Sequence, residues 1–272
     1  MVRLPAVAGS FYPAKPDSLR RLVERLLAQV PPLGNGRPLV ALIVPHAGYE
    51  YSGPVAAYAY RALAEHNREF KRIVVIGPSH FVHFSGIAAP RSAVFATPLG
   101  EIAVDVETLR NLADVDILVI DDEPHRREHS IEVQLPFLQM VLEDFVLVPL
   151  AVGDCDPTKI SHLIDRLWDD PQTLIIVSSD LSHYLSYEEA QRKDRATARA
   201  IEALEAESLG PEDACGFLPI AGLLLAVKRY PVEVARLDMR NSGDTAGMYD
   251  WVVGYGAWAF YKRSAGRNGV LI

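Results

Sequence analysis

Cysteine is scarce in this chain: Cys155 and Cys215 are the only two in 272 residues. Neither belongs to a CxxC pair, so a disulfide framework is excluded, and a reducing, cytoplasmic setting is the expectation. Long apolar runs are missing too. The longest, FLPIAGLLLAV at 217–227, carries Pro219 and Gly222. It is too short to cross a bilayer and reads as a core helix, so no membrane partner is expected. The N-terminal stretch MVRLPAVAGSFYPAKP lacks the sustained apolar region of a signal peptide. Positive charge is not in excess: 27 Lys and Arg against 35 Asp and Glu leave a net charge of −8. That balance argues against a broad phosphate-binding surface and hence against nucleic acid as a partner. The glycine-bearing HAGYEYSG follows neither the dinucleotide nor the P-loop spacing. No GxSxG elbow supports Ser130 or Ser179 as a hydrolase nucleophile.

What is present is core-forming material, 49% of the residues being hydrophobic. There is no internal repeat or low-complexity linker, and the turn-rich VPPLGNGRP is short, so one domain over 1–272 is expected, with a tail at 263–272. Short apolar runs at 38–44, 72–77, 116–121, 145–152 and 173–179 read as buried strands. Helical patterns stand between several of them, and Asp156 followed by Pro157 marks one helix start. Two further helices, at about 187–206 and 215–229, precede two closing strands at 233–239 and 252–262. This alternation predicts an α/β layered sandwich, a largely parallel or mixed central sheet with helices on both faces.

In such sheets ligands bind beyond the carboxyl ends of the strands. Three strands end in imidazoles: His46 in VPHAGYEYSG, His80 in IGPSHFVH, and His183 with Asp180 in SSDLSHYL. Neutral imidazole is the commonest protein metal ligand and moves protons near neutral pH. Two His and one carboxylate suit an open Fe(II) site, or zinc with a bound water. A fourth patch, EPHRREHSIEVQLPFLQ, sets His129 and Ser130 at an expected helix start. There Glu128 and Glu132 read as complements to the helix dipole, or His129 and Glu132 as site groups.

The motifs AGSFYP, PHAGYEYSG, GPSHF, TPLGEIAVD, EHSIEVQLPFLQ, SSDLSHY and NSGDTAG…VVGYGAWAF occur in that order from about residue 3 to about 262. Together they closely resemble the Memo family. The resemblance implies a fold like that of class III extradiol dioxygenases, which are non-haem Fe(II) enzymes. By motif it places His46 and His80 as metal ligands, with Asp180 and His183 lining the same pocket and His183 and Asp180 as the acid/base pair. The human member's third ligand is a cysteine. With Gly254 and Tyr255 held in register, Thr245 stands at that position, leaving Asp244 or Asp180 to complete a two-His, one-carboxylate set. Tyr49, His129, Thr245 and Cys215 are expected pocket residues. The activity implied is a dioxygenase-like oxidoreductase acting with Fe(II) or another divalent metal on a small-molecule substrate. The alternative is a non-catalytic accessory protein that holds a metal or ligand in that pocket, or a metal-free one. Radical-SAM and AMMECR1-like proteins are the pathway partners the resemblance suggests.

Overall fold

The computed structural model describes residues 1–66, 70–112 and 118–263. Its strands are β1 (Val2–Arg3), β2 (Leu39–Val44), β3 (Arg72–Pro78), β4 (Ile87–Ala89), β5 (Val94–Thr97), β6 (Gly100–Ala103), β7 (Leu118–Ile120), β8 (Val146–Val152), β9 (Thr173–Ser178), β10 (His183–Leu185), β11 (Val232–Asn241) and β12 (Val252–Lys262). The helices are α1 (Pro16–Ala28), α2 (Gly53–Ala64), α3 (Val106–Asn111), α4 (Glu123–Arg126), α5 (Leu135–Val141), α6 (Pro157–Trp168), α7 (Tyr187–Glu202), α8 (Phe217–Val227) and α9 (Ser242–Ala246). From residue 264 the expected tail lies outside the described residues, as do the first two residues of the strand expected at 116–121. No helix among the described residues is long and apolar enough to cross a membrane.

The main sheet has a parallel centre in the order β2-β9-β3-β8. Antiparallel β12 borders it beside β2, and antiparallel β4 borders it beside β8. All six residues of β9 are buried, as are five of the six in β2, so these strands read as unbroken apolar runs. The chain moves one way across the sheet from β2 through α2 to β3, and the opposite way from β8 through α6 to β9. Right-handed crossovers in opposite directions put α2 and α6 on opposite faces. α1 and α5 pack with α2, while α8 packs with α6 against β3 and β9. That sandwiched position explains why α8 is apolar all round.

Register then fixes the site. Val44 stands opposite Ser178, and Ile76 opposite Val177. The three neighbouring strands β2, β9 and β3 therefore end at one height, and the residues two beyond them, His46, Asp180 and His80, emerge together.

A second sheet, β1-β5-β6, escapes the sequence reading because its strands of two to four residues are too short to show periodicity. It is anchored through Glu132, which is fully buried and paired with Arg3. Glu132 also accepts the backbone N–H groups of Ala6 (2.7 Å) and Val7 (3.0 Å) and the Tyr12 hydroxyl. Arg3 in turn donates to the carbonyls of His125 (3.0 Å) and Glu128 (2.6 Å). The helix expected to start at Ser130 begins instead with a 3-10 turn at Glu132–Gln134, and α5 follows from Leu135. Ser130 caps nothing there; its hydroxyl donates to the Pro78 carbonyl (2.9 Å) at the end of β3.

Glu132→Ala should destabilise the fold by about 3–5 kcal/mol, because it strands the buried Arg3 guanidinium, the buried Val7 N–H and the Tyr12 hydroxyl. Urea unfolding checks this: a loss below about 1 kcal/mol would mean that the N-terminal segment contributes little to stability.

Candidate metal centre

His46 leaves β2 with its backbone N–H on Asp180 Oδ1 (2.7 Å). Its ring is buried, with Nδ1 2.9 Å from Ser178 Oγ and Nε2 3.2 Å from Cys215 Sγ. Which nitrogen carries the proton follows from the neighbours. Gln134 Nε2 lies 3.0 Å from the Pro45 carbonyl, which can only accept, so the amide orientation is fixed. The same Nε2 donates to Ser178 Oγ (2.8 Å), and Gln134 Oε1 accepts the Tyr60 hydroxyl (2.6 Å). Ser178 directs its one hydrogen to the Ser130 carbonyl (2.6 Å). It therefore accepts from His46, whose proton sits on Nδ1, and Nε2 presents a lone pair to Cys215.

His80 is arranged the same way by a different partner. Its Nδ1 donates to Glu128 Oε1 (2.8 Å), and its backbone N–H donates to Glu128 Oε2 (2.6 Å). Glu128 Oε1 also accepts the N–H groups of His129 (2.9 Å) and Ser130 (2.8 Å). Burial pushes the Glu128 carboxyl up, but the hydrogen bonds and positive potential from His80, then from His129, outweigh it and hold it at about 2. The segment can lie this close because Gly77 has no side chain: a Cβ there would meet Ser130 Oγ at 2.6 Å. His129 stacks on His80 with centroids 4.5 Å apart, packs against Phe11 at 4.7 Å, and meets His46 edge-on at 5.3 Å. Burial first, then His46 and later His80, bring its imidazole down to about 4 despite Glu128. Burial and then His80 likewise hold His46 well below its ordinary range.

Cys215 stands just before α8. Gly216 carries its approach, since a Cβ there would sit 2.7 Å from that of Ser179 and 2.9 Å from the Ser178 carbonyl. Burial, then Asp180, push the Cys215 thiol up to about 12. A ligand nitrogen from each of His46 and His80 and the Cys215 sulfur lie within 4.8 Å of one another. His80, Glu128 and His129 form a second such group sharing His80, though both Glu128 oxygens are already engaged. The donor chemistry fits a divalent transition metal. Two imidazoles have their far nitrogens held by a hydroxyl and a carboxylate, the usual outer support of a ligating histidine, and a soft sulfur completes the set.

The other expected residues fall into place around this group. Buried Asp180 accepts from the N–H groups of His46 (2.7 Å) and Ala47 (3.3 Å). Burial raises its carboxyl, against those bonds and the charge of His183 and His129. His183 is exposed on β10, electrostatically close to His46 and Asp180. Tyr49 is buried below, its hydroxyl on the Val133 carbonyl (2.7 Å). Asp244 is exposed and engaged at α9: it accepts from Asn241 N–H (3.0 Å) and the Tyr187 hydroxyl (2.6 Å). Thr245 donates to the Asn241 carbonyl (3.3 Å). Asp244 belongs to neither group of His, Cys, Asp and Glu donors that shares His46 or His80. The sequence reading passed over Ser178 and treated Glu128 as a dipole complement. The available signals were a polar residue ending a wholly buried strand and an acid within an Arg- and His-rich stretch. A cavity of about 600 Å³ has Cys215, Ser79, Phe84, Gly153, Phe217 and Leu218 among its lining residues.

The model of the Memo-like protein family matches residues 3–259. Among curated relatives, a MEMO1 family protein of Methanopyrus kandleri is 37% identical, over 96% of this chain and all of that one. Another, of Sulfurisphaera tokodaii, is 34% identical, over 94% of this chain and 98% of the relative. Among solved structures, the crystal structure of uncharacterized protein JW3007 from Escherichia coli K12 superposes with a TM-score of 0.52 at 12% identity, covering 81% of this chain and 99% of that one. At that identity the superposition speaks to the fold alone, a mixed α/β layered sandwich.

The metal-free protein should lose stability on acidification in two stages. Between about 6.5, where a free imidazole titrates, and about 4, the unfolded chain holds a proton that native His129 does not. Between about 4.3 and about 2, the same holds for Glu128. In both windows the unfolded state binds more protons, so stability falls as pH falls. Melting temperatures at pH 7.5, 5.5 and 4 should decline steadily, and His129→Gln should make the upper stage shallower, the remainder belonging to buried His46 and His125. An unchanged upper slope in that variant would remove His129 from the account.

Proposed function

Because this chain belongs to the Memo family, we propose that its strand-end pocket holds a divalent transition metal, Fe(II) foremost, and serves oxidoreductase chemistry of the extradiol-dioxygenase kind on a small molecule. One observation carries the reading: the Nδ1 protons of His46 and His80 are committed to Ser178 and Glu128, which leaves two Nε2 lone pairs beside the Cys215 sulfur. When bound, the metal would supply Lewis acidity and open positions for substrate. His46, His80 and Cys215 hold it. Ser178 and Glu128 orient the two rings and fix their tautomers. Asp180 keeps the His46 backbone in place through its N–H acceptance. His183, at the exposed edge next to Asp180, gives or takes the substrate proton. His129, backed by Phe11, covers His80 on one side and limits water there.

A second reading has a specific observation behind it. The third donor within reach is a thiol, whereas ring-opening iron sites of the two-His type use a carboxylate. A non-catalytic metal-holding protein would keep the same donors and have no need of His183.

Anaerobic Fe(II) titration of metal-stripped protein separates these cases. The parent should bind one ion, His46→Ala and Cys215→Ser should abolish saturable binding, and Ser178→Ala should weaken it roughly 10–100-fold. Asp244→Asn should match the parent. Because the Cys215 thiol must lose its proton to ligate, affinity should rise about tenfold per pH unit near neutrality, with one proton released. Dioxygen uptake with catechols by the loaded parent, lost in His183→Ala, supports the enzyme. Tight binding without uptake favours the accessory protein. Absence of binding in the parent removes both.

A further inference from the structure

Among the described residues, two other than glycine adopt a left-handed backbone: Leu204 (φ +59°) and Tyr184 (φ +55°). Leu204 is explained by helix termination. It follows α7, its N–H donates to the Ile201 carbonyl (3.1 Å), and Glu205 N–H closes on the Ala200 carbonyl (2.8 Å), the usual left-handed end of a helix. Tyr184 has no such account. It lies in β10 between His183, paired with Val253, and Leu185, paired with Val252. Two steps on β10 thus oppose one on β12, and Tyr184 is the extra residue of a bulge. A bulge residue with positive φ is ordinarily glycine, which takes that conformation without strain.

The side chain gains nothing from the fold in return. It is 71% exposed, its hydroxyl makes no hydrogen bond among the described residues, and its ring contact is with His183 at 5.9 Å. Its position is informative, however. β12 runs antiparallel to β2 with Trp258 opposite Ile43, so Val253, and β10 paired to it, lie past the carboxyl end of β2, at the sheet edge from which His46 emerges. Trp251, 69% exposed, immediately precedes the β12 residues that pair with β10. A bulge re-aims a side chain, and bulky residues held in sparsely populated backbone regions concentrate at ligand-contacting positions.

We propose that Tyr184 is a ligand-contacting, specificity-determining residue, its ring held by the bulge to cover a planar, ring-bearing ligand bound at the ion of His46, His80 and Cys215. This rests on the metal-site reading above. Tyr184 stacks on the ligand's face, His183 meets its edge, and Trp251 extends the aromatic rim. Ligands that chelate without a ring gain nothing from Tyr184.

The test uses Co(II)-loaded full-length protein with two probes, the planar 4-nitrocatechol and the ring-free acetohydroxamate. Tyr184→Gly should weaken 4-nitrocatechol binding roughly tenfold or more, leave acetohydroxamate binding unchanged, and raise or preserve the melting temperature, since strain is relieved. Tyr184→Phe should retain both affinities. Equal 4-nitrocatechol affinity in parent and Tyr184→Gly, with the Co(II) spectrum intact in both, overturns the role of Tyr184 while sparing the metal site. So does a lowered melting temperature accompanied by parallel loss of both probes, which marks a structural residue. Failure of the parent to take up Co(II) overturns the metal site and this proposal with it.

Discussion

A single hydrogen, that of the Ser178 hydroxyl, organises the centre of this molecule. It points at the Ser130 carbonyl, so the oxygen behind it must accept, and both His46 and Gln134 donate to it. That assignment ties three separate pieces of chain to the end of β9: the turn after β2, the 3-10 turn before α5, and the segment running from Glu128 to Ser130. It also decides which nitrogen of His46 is free. An isolated imidazole divides its proton between two nitrogens; here the surroundings choose one, and the basic lone pair faces Cys215.

The sheet makes this convergence available. Because β2, β9 and β3 are adjacent and in register, their first residues past the sheet rise side by side, and the backbone of one can be held by the side chain of the next. Asp180 does this for His46, as Glu128 does for His80 from outside the sheet. Close approach is completed by two missing side chains, at Gly77 beneath Ser130 and at Gly216 against Ser179. The core supplies rigidity: Tyr60 stacks on Phe137 with centroids 4.6 Å apart, and its hydroxyl holds Gln134 from behind. A packing change there would reach His46 through three hydrogen bonds, by way of Gln134 and Ser178.

Much of the fold was legible because buried parallel strands are unbroken apolar runs and the helices between them carry clear stop and start signals, such as Asp156 accepting from Thr158 N–H at 2.8 Å. The small sheet was not, since its order comes from the Arg3–Glu132 pair, a contact across more than a hundred residues. His46, His80 and Asp180 could be placed near one another from the strand-end rule alone. The partners of their far atoms could not. Ser178 looks like the last polar residue of a strand, and Glu128 looks like an ordinary helix-start acid, until the register and the turn at Ser130 bring each against an imidazole.

The carboxylates near the centre share a further property: each already serves the backbone or an imidazole. Asp180 receives the N–H groups of His46 and Ala47, Glu128 those of His80, His129 and Ser130, and Asp244 that of Asn241 together with the Tyr187 hydroxyl. Glu128 and Asp244 have both oxygens engaged, so drawing either onto an ion would leave donors unsatisfied, a cost of about 1–3 kcal/mol for each group left without a partner, and Asp180, which carries both of its N–H groups on Oδ1, is in neither group of donors within ligating reach. The thiol of Cys215 carries no such obligation. It makes only weak sulfur contacts with Ser179, the Asp180 carbonyl and His46 Nε2. Releasing its proton to solvent and taking a metal ion in its place would therefore exchange a poor hydrogen bond for a strong ligand interaction without disturbing the scaffold. By this reasoning the third donor of the proposed centre is sulfur: the acids nearby are more useful as braces than as ligands.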